Sequence, residues 1–303
     1  MKKSKQFKKW LPIYILGLPG ILYLIINNYM PLYGLLIAFK KYDYKIGIWN
    51  SPFVGFQNFE FLFKTKDAWV ITRNTIGYNL LFIFLNTVFG IALAIFLNEV
   101  RKKVSKKIYQ TAILLPYLMS MVVVSYLAYV FLGDKTGLIN HLLRSMGMQE
   151  IKFYMTKTYW PLILTFVNEW RSIGYGTIIF LASIVGFGES FYEAAELDGA
   201  SKWYQIKRIT IPLLKPTIIM LVTLSMGNIF RSDFGLFYQV PRNQGMLYSV
   251  TNTIDTYVYR ALLQNGNIAL SSAAAFYQSV VCFITIMIFN MVINKYSKED
   301  ALF

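Results

Sequence analysis

A single cysteine, Cys282, and a single histidine, His141, are all that 303 residues supply of two side chains central to metal and nucleophile chemistry. One of each makes neither a disulfide nor a structural zinc site, and no spacing suggests a Ser-His-Asp or Cys-His arrangement. Cys282 lies in an apolar run and reads as a small hydrophobe, while His141 lies in a short loop and reads as solvated. The stretch Gly133-Asp134-Lys135-Thr136-Gly137 lacks both the GxxxxGK[ST] spacing of a phosphate loop and the strand that precedes one. Alternation over about 10 residues, the mark of an outer-membrane barrel strand, is missing throughout. No catalytic, metal or cofactor site is expected here. If the protein uses ATP, another chain binds it.

Charged residues are also scarce, at 15%, against 56% hydrophobic and 17% aromatic residues, and the mean hydropathy is +0.45. That balance belongs to an integral membrane protein. A hydrocarbon core about 30 Å thick needs roughly 20 apolar residues per spanning helix. Six runs qualify: Leu11 to Ile26, Ile76 to Leu97, Ile108 to Phe131, Trp160 to Val185, Leu213 to Phe234 and Ile268 to Ile293. The expected fold is all-α, a polytopic membrane protein of six transmembrane helices forming one domain over residues 1–303. A basic start before an apolar run also fits a signal peptide, but no small-x-small cleavage site follows, and the run passes through Asn27-Asn28-Tyr29-Met30-Pro31. The first helix is expected to continue, kinked near Pro31.

The formal net charge of +15 does not point to nucleic acid, because the basic residues cluster at the ends of the apolar runs. Lys2, Lys3, Lys5, Lys8 and Lys9 precede the first run, and Arg101, Lys102, Lys103, Lys106 and Lys107 separate the second from the third. Both chain ends are therefore expected in the cytoplasm, with the protein in the cell (plasma or inner) membrane. The loop after the first run carries Lys40, Lys41, Lys45, Lys64 and Lys66, but it is too long to set orientation.

Residues 186–210 form a polar insert between two apolar runs. As one helix, it places Tyr192, Ala195, Gly199, Trp203 and Ile206 on a stripe, with Glu193, Glu196, Lys202 and Lys207 off it. Gly199 then either sits inside a helix, at a cost of about 1 kcal/mol, or marks a bend between two short helices. A helix lying on lipid shows a basic polar face. The mixed charges here suit a protein partner better.

Within this insert, Glu193-Ala194-Ala195, three residues, Gly199, nine residues and Ile209-Thr210-Ile211-Pro212 resemble the EAA loop of binding-protein-dependent ABC importers. That pattern is EAA, x3, G, x9, I-x-L-P, and only Ile211 departs from it. The stretch Phe53-Val54-Gly55-Phe56-Gln57-Asn58-Phe59 is similar to an external segment of the sugar-permease group containing the larger maltose-importer subunit. The six-span layout resembles the polysaccharide-importing, LplB-like branch of that group. The resemblance implies a type I importer fold with a cytoplasmic coupling loop over 187–212. In it, Glu193, Ala194, Ala195, Asp198, Gly199 and Pro212 engage a separate ATPase. It also implies a second homologous permease subunit as heterodimer partner, a pair of ABC ATPase subunits binding ATP and Mg, an extracytoplasmic solute-binding protein or lipoprotein, and a sugar substrate.

Glu169 and Arg171 fall near the middle of the fourth run, and Arg231 and Asp233 towards the end of the fifth. Charge in lipid is costly, about 2.5 to 3.5 kcal/mol on insertion scales, so these groups should face a partner or a watery path. Glu169 and Arg171, two apart, diverge on a helix and do not pair with each other. A structural ion pair such as Glu169 with Arg231 is one reading. The other is a substrate path, for which Asn168, Trp170, Tyr175, Asn228 and Tyr117 supply aromatic faces and hydrogen-bonding groups. Asn168-Glu169-Trp170-Arg171 resembles the Asn-x-Trp turn lining the maltose site of the family. Asp233 before Phe234 stands where that family has an asparagine, and Tyr117 after Leu115-Pro116 where it has a sugar-contacting tyrosine. The charges at Glu169, Arg171 and Asp233 depart from that neutral pattern and leave room for an acidic oligosaccharide. The alternative is an ion-coupled secondary transporter of a polar solute, but no pair of discontinuous spans in corresponding halves supports it.

Overall fold

The computed structural model describes residues 2–264 and 266–297, with side chains for all of these except 2–9 and 296. Among the described residues every regular element is helical, apart from one isolated antiparallel bridge between Lys40 and Phe53. The principal helices are α1 (Lys2–Leu24), α2 (Lys66–Glu99), α3 (Lys103–Leu114), α4 (Met121–Leu132), α5 (Leu138–Ser145), α6 (Trp160–Val185), α7 (Ser190–Leu197), α8 (Lys202–Gln205), α9 (Ile211–Met226), α10 (Ile254–Leu263) and α11 (Ile268–Tyr296). Four helical stretches are long and apolar enough to cross a membrane, or six if each of two bent pairs counts as one span.

The chain divides into two compact units, residues 1–65 with 258–277, and residues 66–257 with 278–303. In the first, α1 runs on through a π turn, Ile25–Tyr29, into a 3-10 stretch, Met30–Phe39. Pro31 cannot donate a helical hydrogen bond, and the widened turn just before it absorbs the loss. Phe39 then anchors the aromatic stretch that contains Phe56 and Phe59. Its ring centroid lies 5.6 Å from Phe56, 5.4 Å from Phe59 and 5.1 Å from Phe276. Asn58 Nδ2 donates to the carbonyls of Ala38 and Lys40, both at 2.9 Å.

In the second unit α2 packs along α6. Leaving lipid gains an apolar helix little, so close backbone approach matters more than greasiness. A Cβ on Gly174 of α6 would fall 2.2 Å from the Ile113 carbonyl oxygen of α3, so only glycine allows that contact. Two apolar clusters sit at opposite ends of the α2–α6 pair. One gathers Tyr78, Phe82, Val124, Trp160, Leu164 and Leu236, and the other Ala94, Leu97, Phe180, Leu181, Ile184 and Leu214.

Two expected continuous spans are broken. The run from Ile108 to Phe131 bends by 97° between Lys103–Leu118 and Met121–Leu132. Pro116 opens a 3-10 turn, Leu115–Leu118, and Ser120 caps the next helix by accepting from Val123 N–H at 3.4 Å. The run from Leu213 to Phe234 ends as a helix at Met226, so Arg231 and Asp233 stand on irregular chain rather than on a helix.

Candidate functional site

Between the two apolar clusters of the second unit lies a cavity of about 490 Å³. Phe82 and Phe180, one from each cluster, contribute to its wall. Of the residues singled out from the sequence, Tyr117, Asn168, Tyr175, Asn228 and Arg231 line it. Tyr117 and Tyr175 stack on each other, with centroids 5.2 Å apart and planes 16° apart. The polar side is built by α2 and α6 together. Asn86 and Asn168 each donate from Nδ2 to Glu169 Oε1, at 3.2 and 3.1 Å, and Ser172 Oγ lies 3.0 Å from Asn86 Oδ1. Glu169 is thus a hub behind the lining rather than a lining residue. Trp170 is also absent from the lining and is 38% exposed.

Arg171 and Asp233 come together, Nη1 to Oδ2 at 3.3 Å, and the Arg171 guanidinium carbon lies 5.9 Å over the Tyr117 ring. The pairing of Glu169 with Arg231 is not formed. Glu169 turns to the two asparagines, and Arg231 lies beyond the end of α9, on the cavity wall. Asp233 Oδ1 also accepts from Leu236 N–H at 3.0 Å, so the carboxylate starts the next helical turn while it holds Arg171.

Breaking a helix within an apolar layer frees backbone carbonyls that lipid cannot satisfy. Here neighbouring side chains take them up. Asn79 Nδ2 lies 2.9 Å from the Ile229 carbonyl and 2.7 Å from that of Arg231, and Gln278 Nε2 donates to Phe230 O at 2.9 Å. Ser232 N–H and Oγ both donate to Asp255 Oδ2, at 2.6 and 2.8 Å. Asn79, Asn86 and Ser172 were missed from the sequence. The signal was two amides seven residues apart inside an apolar helix, which puts them on one face.

At the other end of α2 and α6, the EAA-like segment is two short helices, not one. Gly199 N–H donates to Glu196 O at 3.0 Å and Ala200 N–H to Ala195 O at 2.8 Å, with Gly199 at φ 75°. This is the Schellman ending, in which the residue after the helix is left-handed. The three residues between Ala195 and Gly199 are therefore the last of α7 and its cap, which gives the motif's spacing a geometric cause. Ser201 caps α8 by accepting from Tyr204 N–H at 3.3 Å. Lys202 Nζ reaches back across the turn to Glu196 Oε1 at 2.8 Å and holds that carboxyl below the usual carboxylate range. Tyr192 Oη lies 3.1 Å from Thr210 Oγ1, tying α7 to the π turn Ile206–Thr210 that precedes Pro212. Glu193, Ala194, Asp198, Gly199 and Pro212 are exposed and Ala195 half-buried. Leu197 and Trp203 are left 90% and 73% exposed.

Among the described residues no group of histidine, cysteine, aspartate and glutamate could hold a metal ion. The family described as "Binding-protein-dependent transport system inner membrane component" matches residues 86–298. Protein LplB of Bacillus subtilis (strain 168) is 36% identical over 96% of this chain and 90% of its own length. The polygalacturonan/rhamnogalacturonan transport system permease protein YteP of the same organism is 34% identical, over 95% of this chain and 89% of its own. Among solved structures, a chain of a bacterial ABC transporter involved in the import of the acidic polysaccharide alginate superposes with a TM-score of 0.89 at 30% identity. The match covers 98% of this chain and 100% of that one. A chain of the bacterial alginate ABC transporter in complex with alginate pentasaccharide-bound periplasmic protein gives 0.88 at 30% identity, over 98% and 99%.

Proposed function

Because the chain belongs to the family of binding-protein-dependent transport system inner membrane components, we propose that it is the permease subunit of an ATP-driven importer of oligosaccharides or polysaccharide fragments. The observation that carries the substrate class is the cavity. A stacked tyrosine pair offers ring faces, and the amides of Asn86, Asn168 and Asn228 with Ser172 and Ser225 offer dense hydrogen bonding, as sugars require. The polysaccharide named for YteP and the alginate named for the solved transporter support this reading.

Drive comes from a separate ATPase pair. The segment from Glu193 to Pro212 is its docking element, with Leu197 and Trp203 as apolar anchors set among charges. The Tyr192–Thr210 contact and the Lys202–Glu196 bridge make the two short helices one lever, so that movement of the partner reaches α9 and the cavity wall. Two discrete positions of this lever, biased by ATP, open the cavity to one side and then the other. The docking segment and both chain ends lie on the cytoplasmic side. A second, homologous permease completes the path, and a binding protein delivers the sugar. Nothing in this chain breaks or makes a covalent bond.

The test is uptake by the assembled importer in proteoliposomes. Tyr117→Ala should lower uptake about tenfold, the loss of roughly 1.4 kcal/mol of sugar contact, with subunit assembly unchanged. Unchanged uptake refutes the cavity as the path, and loss of assembly alone gives Tyr117 a packing role.

A further inference from the structure

Apart from the central cavity, a concavity of about 300 Å³ opens between α4 and residues 238–243. It is walled by Ser125 and Tyr126 on one side and Tyr238, Gln239, Arg242 and Asn243 on the other. The π turn Gly235–Gln239 ends there in the hydrogen-bond pattern that also ends α7. Arg242 N–H donates to Gln239 O at 3.0 Å and Asn243 N–H to Tyr238 O at 3.0 Å. That pattern calls for a left-handed residue, which glycine supplies without a Cβ clash. Arg242 stands in this place at φ 54°, followed by Asn243 at φ 50°. Asparagine tolerates the conformation, and Asn243 Oδ1 is held by Tyr248 Oη at 3.0 Å. Arginine has no such excuse, so its side chain must be what the position needs.

That side chain is posed rather than paired. Its guanidinium carbon lies 4.2 Å from the centroid of the Tyr129 ring, in cation–π contact. None of the ion pairs Lys64–Glu60, Arg144–Glu150, Arg171–Asp233 and Lys202–Glu196 includes it. A planar guanidinium held on a ring face, with a forked set of donors at its edge, suits a carboxylate. Around it are the ring of Tyr126, 63% exposed, and that of Tyr238, stacked on Phe234 at 4.7 Å. The amides of Gln239 and Asn243 complete a surface with aromatic faces, hydroxyl-binding groups and one cation.

We propose that this concavity is an outer saccharide subsite that takes a carboxylated sugar, with Arg242 on the carboxylate and the two tyrosines against the ring faces. It rests on the reading of the chain as an oligosaccharide permease. The test uses the permease–ATPase complex without its binding protein, titrated in detergent with trigalacturonate and, as the neutral probe, maltotriose. Arg242→Gly should weaken trigalacturonate binding about tenfold, as expected for losing a charge-assisted bidentate contact, and leave maltotriose binding unchanged. The unfolding temperature of the complex should stay level or rise. Arg242→Lys, which keeps the charge without the fork, should fall between.

Trigalacturonate binding that is absent in the wild type, or unaltered in Arg242→Gly, overturns the proposal. So does equal weakening for both probes. A lower unfolding temperature in Arg242→Gly overturns it as well, because the stack on Tyr129 would then be structural. The permease reading fails separately, if the assembled wild-type importer takes up neither trigalacturonate nor maltotriose into proteoliposomes.

Discussion

Two turns in the second unit close with the same pair of hydrogen bonds yet carry opposite residues at the left-handed position, Gly199 after α7 and Arg242 after the Gly235–Gln239 turn. A Cβ on Gly199 would meet nothing within 4 Å, so glycine is there for backbone conformation and not for space. An L side chain in that region costs about 1–2 kcal/mol. The Gly199 turn avoids the cost and leaves an exposed, cheaply held bend that fixes where α8 points. The Arg242 turn accepts it and presents a guanidinium. The same cap serves direction in one place and display in the other.

Breaking the first half of this contrast should have the largest effect. Gly199→Val puts a β-branched side chain at φ 75°, so the turn must reopen and α8 must point elsewhere. If the bend couples the ATPase to the cavity, uptake should fall on the order of tenfold or more while ATP hydrolysis and membrane insertion persist, within the range of about 5- to 150-fold typical of coupling energies. Gly199→Asn, which tolerates the left-handed region, should recover most of it. Wild-type uptake in the valine variant would separate the bend from coupling.

A third helix end sharpens the comparison, because α9 stops at Met226 without any left-handed cap. Gly227 keeps a helical φ of −61°, and the freed carbonyls are taken by Asn79 and Gln278 from other helices. Asn79→Leu removes the Asn79 donor from the Ile229 and Arg231 carbonyls at the wall of the central cavity, leaving Gln278 on Phe230. It should destabilise the complex by about 0.5–1.5 kcal/mol, the net worth of an intramolecular hydrogen bond where water can still reach the freed carbonyls. The measurement is the unfolding temperature in detergent. An unfolding temperature unchanged from wild type would mean that the Asn79 amide is not what holds this break.

These three ends explain what could be read in advance. The EAA-like spacing was legible because the Schellman ending is local, with its helix, its glycine and its hydrogen bonds all within residues 190–200. The six apolar runs were legible because lipid demands length and composition, whatever lies inside each run. The breaks at Leu118–Met121 and after Met226 left fainter marks, Pro116 and Gly227-Asn228, since an interrupted helix stays apolar as long as other helices serve its backbone. Partner choice was out of reach. Glu169 takes Asn86 and Asn168, and Arg171 takes Asp233, because of which faces α2, α6 and the irregular chain bring together. Arg242 was passed over because a left-handed arginine looks in sequence like any basic loop residue.

The smallest effect should come from the bridge across the Gly199 turn. Lys202 and Glu196 meet at 2.8 Å, but their side chains remain 62% and 56% exposed, so water and salt screen most of the attraction. Hydrogen bonding to Lys202 lowers the Glu196 pKa. A carboxyl depressed on folding stabilises above its unfolded pKa, and that contribution disappears as pH falls through the folded value. Glu196→Gln should therefore matter only above the acid range, and there by less than either change above, since φ at Gly199 and two backbone hydrogen bonds already set the turn. Unfolding temperatures of wild type and Glu196→Gln, compared at neutral and acid pH and in low and high salt, should differ slightly at neutral pH in low salt and converge otherwise. A difference at neutral pH as large as that of Asn79→Leu, or one that persists in high salt, would mean that the bridge and not the glycine holds the two short helices in register.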